Sequence, residues 1–262
     1  PDHGRQALDE HRVGPVGATA LRLGLSAGVL CLLERPRPRR WSAEQRRAVV
    51  VFGLTLATMN TAFYEAVARL PLGAAITIEF LGPLGLAAAH SRRLREAWPV
   101  ALAVAGVGLL GAAEAGAGRG LDPVGVAAAL VAGACWAAYI LAGARVARGG
   151  PDRGGLAGAG VVAGVLAVPL GLASAGSALV APRVLGLGLV VAVLASVVPY
   201  SLELRALRRL PPRTFSILVA LEPAVGALVG AVALGDRLDP LALAGIALVV
   251  AAGVAATREV PP

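Results

Sequence analysis

The sequence predicts an all-α protein, a polytopic bundle of membrane-spanning helices, and three observations lead to that fold class. The chain is 57% hydrophobic and 15% charged, with a mean hydropathy of +0.75. Soluble proteins are about 45–50% apolar and about 25% charged. Apolar runs of about 20 residues, the length of a helix that crosses a bilayer, recur along the chain. Finally, two stretches, 60–87 and 200–227, read as copies of one another.

Nine apolar runs are long enough to be membrane-spanning helices. In chain order they are predicted at 15–34, 48–67, 72–90, 97–114, 122–144, 155–173, 184–204, 213–234 and 239–257. Residues 1–14 form a polar N-terminal stub, and the charged first dozen residues do not have the pattern of a signal peptide.

The two copies are related by a shift of 140 residues. The matched residues are Arg69, Leu70, Pro71 and Pro83 with Arg209, Leu210, Pro211 and Pro223. Each copy carries a glutamate close to its intramembrane proline, Glu79 in the first and Glu222 in the second. Duplicated hydrophobic hairpins, each with a carboxylate and a helix-breaking proline at membrane depth, are typical of transporters built from repeats.

The charged loops predict the topology. With loops placed alternately on two sides, one side receives the arginine clusters at 35–47, 92–95, 145–153 and 205–213, and the other receives Arg69, Arg119, Arg183 and Arg237. The first side is therefore cytoplasmic. The two Arg-Leu-Pro turns then lie on opposite faces, so the repeat is predicted to be inverted.

An inverted duplication with nine spans is explained by a ten-helix, five-plus-five fold whose first helix is missing. The predicted halves are residues 15–117, which lack that helix, and 118–262. The place of the missing helix is expected to be a groove filled by lipid or by a second copy of the chain, which would make a homodimer.

Four runs of sequence resemble one transporter group. They are TALRL at 19–23, NTAFYEAVARLPLGAAITIEFLGPL at 60–84, GACWAAYILAG at 133–143 and VPYSLELRALRRLPPRTFSILVALEP at 198–223. The chain resembles the EamA-type drug/metabolite transporter superfamily, and within it the threonine/homoserine exporters. That resemblance implies ten helices in two inverted repeats, a central cavity for small solutes, and secondary export across the bacterial inner membrane.

Three charged residues, Arg22, Glu79 and Glu222, lie deepest in apolar runs. A charge at the bilayer centre costs roughly 2.5–3.5 kcal/mol on insertion scales, so it normally faces the bundle interior or water. One interpretation is a buried structural ion pair. We favour the other, in which these residues line the substrate path and Glu79 or Glu222 carries a proton.

Other predicted site residues are polar or aromatic groups within the spans: Asn60, Tyr64, Trp136, Tyr139 and Tyr200. They supply hydrogen-bond partners for an amino-acid substrate. Trp136 and Tyr139 lie near the cytoplasmic end of their predicted span, where such side chains are also interfacial anchors.

Helix geometry adds two predictions about where these residues lie. Pro83 and Pro223 are predicted helix breaks at the site, with ordinary kinks as the alternative. Arg22, Asn60 and Glu79 are predicted to converge at one depth, with Glu222 nearby.

Several other classes of protein are disfavoured. The net charge of +8 does not indicate nucleic-acid binding, because the arginines lie in short clusters between apolar runs. The three histidines are not arranged as H-E-x-x-H, and no serine has a G-x-S-x-G setting, so we expect neither an enzyme nor a metal or cofactor site. No phosphate-binding loop is present, so transport is expected to be driven by a gradient, most naturally of protons.

The sequence therefore predicts a secondary-active exporter of small metabolites, most specifically amino acids such as threonine or homoserine. Its expected partners are the lipid bilayer, the small-molecule substrate and protons. A broad-range drug or metabolite exporter of the same fold is the first alternative. A passive channel or a non-transporting membrane scaffold is the second.

Overall fold

The computed structural model describes residues 13–70, 72–91, 94–114, 122–149, 154–222, 224–225 and 240–258. Among these residues there is no β-strand, and the main helices in chain order are α1 (Gly14–Glu34), α2 (Ala43–Val67), α3 (Leu72–Ala89), α4 (Leu94–Glu114), α5 (Pro123–Gly149), α6 (Gly155–Ala175), α7 (Pro182–Arg209), α8 (Pro212–Val219) and α9 (Pro240–Arg258). The predicted all-α architecture is confirmed.

Within the part of the chain that the structure describes, five helical segments are long and apolar enough to cross a membrane. They are Val16–Glu34, Ala43–Val67, Pro123–Gly149, Gly155–Val180 and Pro182–Arg209. Shorter apolar helices occur at Ala74–Ala89, Ala97–Leu109 and Leu243–Ala252. Much of the predicted span 213–234 lies outside the described residues, which resume at Pro240.

Two helices are longer than their apolar cores. The predicted span 48–67 begins earlier, at Ala43, because Ser42 and Gln45 form a reciprocal cap. The Ser42 N–H donates to Gln45 Oε1 and the Gln45 N–H donates to Ser42 Oγ, both at 3.1 Å. Such a capping box satisfies backbone donors that a helix start otherwise leaves without partners.

The helix α5 also extends beyond its predicted span, to Gly149. Trp136 therefore lies in the middle of the helix rather than near its end.

The chain divides into two compact units, and unit 1 comprises Pro1–Glu65 and Leu141–Arg208. Its central pair is α1 and α6, which run antiparallel. A Cβ added to Gly171 would meet Ala20, and one added to Gly24 would meet Val168 at 2.7 Å. At the far end, Glu34 Oε2 accepts the Ala157 N–H at 3.1 Å, so this side chain caps the start of α6. Small residues allow this close helix approach.

Positions related by the 140-residue shift face one another inside unit 1. The Cβ position of Gly164 lies 3.6 Å from Cα of its counterpart Gly24. Asn60 is hydrogen-bonded to its counterpart Tyr200 at 3.2 Å. Two equivalent residues touch each other only beside the axis that relates them. Since α1 and α6 are antiparallel, we infer a twofold axis perpendicular to these helices within unit 1. The division of the whole chain into repeats at 15–117 and 118–262 stays a prediction.

Unit 2 comprises Ala66–Ile140 and Arg209–Pro262. Within it α4 packs against α9, where the Cβ position of Gly106 lies 2.8 Å from the Gly245 carbonyl. Ser91, two residues beyond the end of α3, is joined to α8 by a hydrogen bond from Arg213 Nε to its Oγ at 3.1 Å. Gly82 of α3 lies so close to Gly133 of α5 that a Cβ at Gly82 would overlap the Gly133 carbonyl.

This contact between α3 and α5 leads to a stability prediction. Gly82→Ala should destabilise the protein by about 1–3 kcal/mol, because the added methyl group must push two backbones apart. Gly85 is the matched control: it lies in the same helix, and among the described residues no atom would lie within 4 Å of an added Cβ. Gly85→Ala should be neutral or slightly stabilising, since alanine favours helix. Thermal unfolding of the detergent-purified variants measures both, and equal midpoints would contradict the prediction.

Candidate functional site

Arg22 lies in α1 of unit 1 and makes two contacts through its guanidinium group. Nη1 donates to the carbonyl oxygen of Ala195 at 3.3 Å. The guanidinium carbon lies 5.5 Å from the centre of the Tyr64 ring, a cation–π distance. Nε is buried, and the described part of the chain offers it no hydrogen-bond partner. Buried donors in native structures nearly always have a partner, so this open N–H indicates a place for a further acceptor.

The Ala195 carbonyl is available to Arg22 because of the local shape of α7. Between Val193 and Val197 the helix widens into a π-helical turn, in which the Val198 N–H donates to Val193 five residues back. Pro199 follows, and proline has no N–H to donate to the carbonyl four residues earlier, which is that of Ala195. π-Helical turns occur frequently at functional sites.

Asn60 and Tyr200 form a buried polar pair in the same unit. Asn60 Nδ2 donates to the Leu56 carbonyl at 2.8 Å and to the Tyr200 hydroxyl at 3.2 Å. The Tyr200 hydroxyl lies 3.4 Å from Asn60 Oδ1, to which it can donate. Both side chains are buried, at 4% and 7% exposure. Polar groups at this depth are tolerated because each provides the other with a partner.

Tyr64 and Asn60 lie four residues apart on α2 and therefore share a face of that helix. Tyr64 contacts Arg22, and Asn60 contacts Tyr200. Four of the predicted site residues are thus brought together in unit 1 from α1, α2 and α7. The cluster offers a cation with an open N–H, an amide and two phenols, a combination able to bind a carboxylate and a hydroxyl group.

The predicted residues of unit 2 lie around the contact of α3 with α5. Glu79 is buried, at 7% exposure, and a Cβ at Gly133 would lie 2.5 Å from its carbonyl oxygen. Pro83 is fully buried inside α3, and it lacks the N–H that would bond this same carbonyl. α3 nevertheless runs unbroken from Leu72 to Ala89, so Pro83 omits one α-helical hydrogen bond without ending the helix.

Trp136 and Tyr139 are core residues of unit 2. The Trp136 ring packs edge-on against Phe80, the residue after Glu79, with 4.8 Å between ring centres. Tyr139 lies almost one turn further along α5 and is 1% exposed. Their burial favours a place in the bundle over the interfacial-anchor alternative, because an anchor projects to the membrane surface.

Glu222 is exposed, and Pro223 lies outside the described residues. Arg22 and Asn60 belong to unit 1 and Glu79 and Glu222 to unit 2, so their convergence at one depth stays a prediction. Among the described residues, no group of three or more histidine, cysteine, aspartate or glutamate side chains is placed to hold a metal ion.

Sequence reasoning missed three groups beside Arg22 in unit 1: the carbonyl of Ala195, Pro199, which lacks the N–H that would bond this carbonyl, and Ser196. Ser196 is fully buried beside Ala195, and its Oγ has no hydrogen-bond partner among the described residues. The available signal was Pro199 inside an apolar run, since a proline identifies the unbonded carbonyl four residues earlier. The donor that would reach this carbonyl could not be read from the sequence.

Comparison with known proteins identifies the same group of transporters. Residues 123–257 match the EamA-like transporter family. The threonine/homoserine exporter RhtA of Escherichia coli strain K12 is 41% identical over 249 residues, which are 95% of this chain and 83% of that protein. RhtA of Salmonella typhimurium strain LT2 is 42% identical over the same shares. A protein of known crystal structure shares the fold, with a TM-score of 0.72 at 22% identity, over 96% of this chain and 91% of its own.

Proposed function

Because the chain belongs to the EamA-like transporter family and is therefore a polytopic membrane transporter rather than an enzyme, we propose that it exports small amino acids of the threonine and homoserine type. The exporter works across the bacterial inner membrane, from the cytoplasm outward. The assignment of substrate draws on the curated relatives, which are named threonine/homoserine exporters and match nearly the whole chain.

The observation that carries the proposal is the open Nε–H of Arg22 in the polar cluster of unit 1. The planar guanidinium group binds carboxylates through two parallel N–H bonds, and an α-amino acid always presents a carboxylate. Lipophilic cations, which a broad-range drug exporter would carry, are repelled by the positive charge of Arg22. The cluster therefore supports an amino-acid substrate over the drug-exporter alternative.

The hydroxyl group that threonine and homoserine share is matched by the Asn60 and Tyr200 pair. Amide and phenol groups each donate and accept hydrogen bonds, as a hydroxyl group does. A bound hydroxyl group would add hydrogen bonds to this pair that an analogue without a hydroxyl cannot make, so the site favours substrates that carry one. Valine, which has a methyl group in place of the threonine hydroxyl, should accordingly be a poor substrate.

Proton antiport through alternating access is the proposed mechanism. Glu79 is the first candidate for the proton carrier, with Glu222 as the second. A protonated carboxyl group is neutral and is much cheaper to hold in a low-dielectric site than a carboxylate. Proton uptake on one side of the membrane and release on the other would then accompany the reorientation that moves the amino acid. The inverted repeat supplies two conformations related by its symmetry.

Proteoliposomes containing the purified protein test this function. With an imposed pH gradient, radiolabelled threonine should accumulate above its external concentration, and a protonophore should abolish the accumulation. Unlabelled threonine and homoserine should compete, whereas valine and a lipophilic cation such as tetraphenylphosphonium should not.

Each contrary result identifies an alternative. Accumulation blocked by tetraphenylphosphonium but not by threonine would indicate a broad-range drug exporter. Equilibration without accumulation would indicate a passive channel. Accumulation that ignores the pH gradient would reject proton antiport while leaving the export function in place.

A further inference from the structure

The guanidinium group of Arg22 is held in one orientation by two groups of different kinds. The Ala195 carbonyl accepts from Nη1, and the guanidinium carbon lies over the Tyr64 ring, 5.5 Å from its centre. The hydrogen bond directs Nη1 toward α7, and the ring contact limits where the guanidinium carbon can lie. The edge that carries Nε is the edge left for a ligand. It has the fork geometry that matches a carboxylate.

One backbone feature makes this orientation possible. In a regular α-helix the N–H of residue 199 would bond the Ala195 carbonyl, and this carbonyl would point along the helix axis. Pro199 has no N–H, and the π-helical turn at Val193–Val197, which contains Ala195, ends two residues before it. The carbonyl is thereby released from its α-helical partner and accepts a charged donor from a neighbouring helix.

The first copy of the repeat lacks the proline and the widened turn, which shows that the repeat fold does not require them. Under the 140-residue shift, Pro199 corresponds to Met59, Ala195 to Thr55 and Arg22 to Val162. The equivalent stretch of α2 is regular α-helix. A feature needed to build the repeat would be expected in both copies, whereas this one occurs where a charged residue is present.

We propose that Pro199 is a positioning residue for substrate recognition. Because Pro199 has no N–H, the Ala195 carbonyl is left to accept a hydrogen bond from Arg22, and this bond orients the Nε edge of the guanidinium group toward the substrate carboxylate. This inference rests on the proposed amino-acid export. Ser196, whose buried Oγ lacks a partner among the described residues, lies in the same turn.

The test restores the missing N–H with Pro199→Ala. Inhibition of radiolabelled threonine transport is measured in proteoliposomes with two inhibitors, threonine and threoninamide, in which a neutral amide replaces the carboxylate. In the variant, the inhibition constant of threonine should rise about tenfold, as expected when a charged hydrogen bond is weakened. The inhibition constant of threoninamide and the maximal rate should stay within about twofold, because only carboxylate recognition is affected.

Two further variants control the result. Pro169→Ala removes an exposed proline inside α6 of the same unit, and it should change neither inhibition constant. Arg22→Lys keeps the charge but lacks the Nε edge, so this single substitution should already remove the preference for threonine over threoninamide. Adding Pro199→Ala to Arg22→Lys should then change the preference no further, because residues that act through one contact are not additive.

The possible results distinguish failure of the positioning role of Pro199 from failure of the proposed export function on which it rests. Failure of the wild-type protein to transport threonine rejects the proposed function and this inference with it. Normal wild-type transport, combined with an unchanged threonine preference in Pro199→Ala or an equal loss for both inhibitors, rejects the positioning role alone. If Pro199→Ala fails to accumulate in membranes, Pro199→Ser restores the same N–H. Failure of both variants would mean that the proline is structural and would overturn the proposal.

Discussion

Replacing Arg22 by methionine should lower the apparent affinity for threonine by about a hundredfold. Loss of one partner from a desolvated, hydrogen-bonded charge pair costs about 2–5 kcal/mol in binding, and each 1.4 kcal/mol is about a factor of ten. Methionine keeps a long, flexible side chain, so the space beside Tyr64 stays filled. The concentration dependence of threonine transport in proteoliposomes gives the half-saturation constant directly.

Folding should respond in the opposite direction. A membrane-buried cation is costly to insert, so its replacement by an apolar side chain should leave the amount of inserted protein and its thermal unfolding midpoint equal or higher. Arg183→Met is the matched control, because Arg183 is exposed at the start of α7. Loss of threonine transport together with loss of folded protein in Arg22→Met would mean that the arginine is structural. Transport at the wild-type level would remove it from the binding site.

Glu79→Gln should abolish uphill threonine transport driven by a pH gradient. Glutamine has nearly the shape of the protonated glutamate but cannot exchange a proton, so the step that couples proton movement to transport is lost. Exchange of internal for external threonine, which needs no net proton movement, should persist. The measurement is a pair of assays on one preparation, accumulation under a pH gradient and homoexchange without one.

The pair of assays distinguishes coupling from structure. Loss of both activities in Glu79→Gln would indicate a role in substrate binding or in folding, and undiminished accumulation would exclude Glu79 as the proton carrier. Glu222→Gln tests the second candidate in the same way. Glu65→Gln is the control, because Glu65 lies near the end of α2 rather than deep within a predicted span. If Glu222→Gln alone shows the split between accumulation and exchange, the carrier is Glu222.

The all-α membrane fold could be predicted from the sequence because its cause is local. An apolar run such as 15–34 has no stable place in water, and its backbone groups can be satisfied within lipid only by a helix. The membrane interior therefore determines the helix from the run itself, and α1 at Gly14–Glu34 agrees with the predicted span to one residue. Helix ends were predicted less well, since the start of α2 is decided by the Ser42–Gln45 cap, outside the apolar run.

The residue types of the candidate site could also be chosen from the sequence. Arg22, Asn60 and Glu79 are unusual within apolar segments, and their cost in lipid means that each must have a partner or a function. The periodicity of one segment contains no information about which partner another segment supplies.

Which groups meet was decided by the tertiary structure alone. Asn60 and Tyr200 are 140 residues apart, and their hydrogen bond depends on the packing of α2 with α7. The contact between Arg22 and Ala195 depends further on a widened helical turn, because a backbone carbonyl has no side-chain identity that a sequence could reveal. Hydropathy acts on each segment separately and so determines the helices. A hydrogen bond requires two atoms from distant segments to lie within about 3 Å, and only the packed chain brings them there.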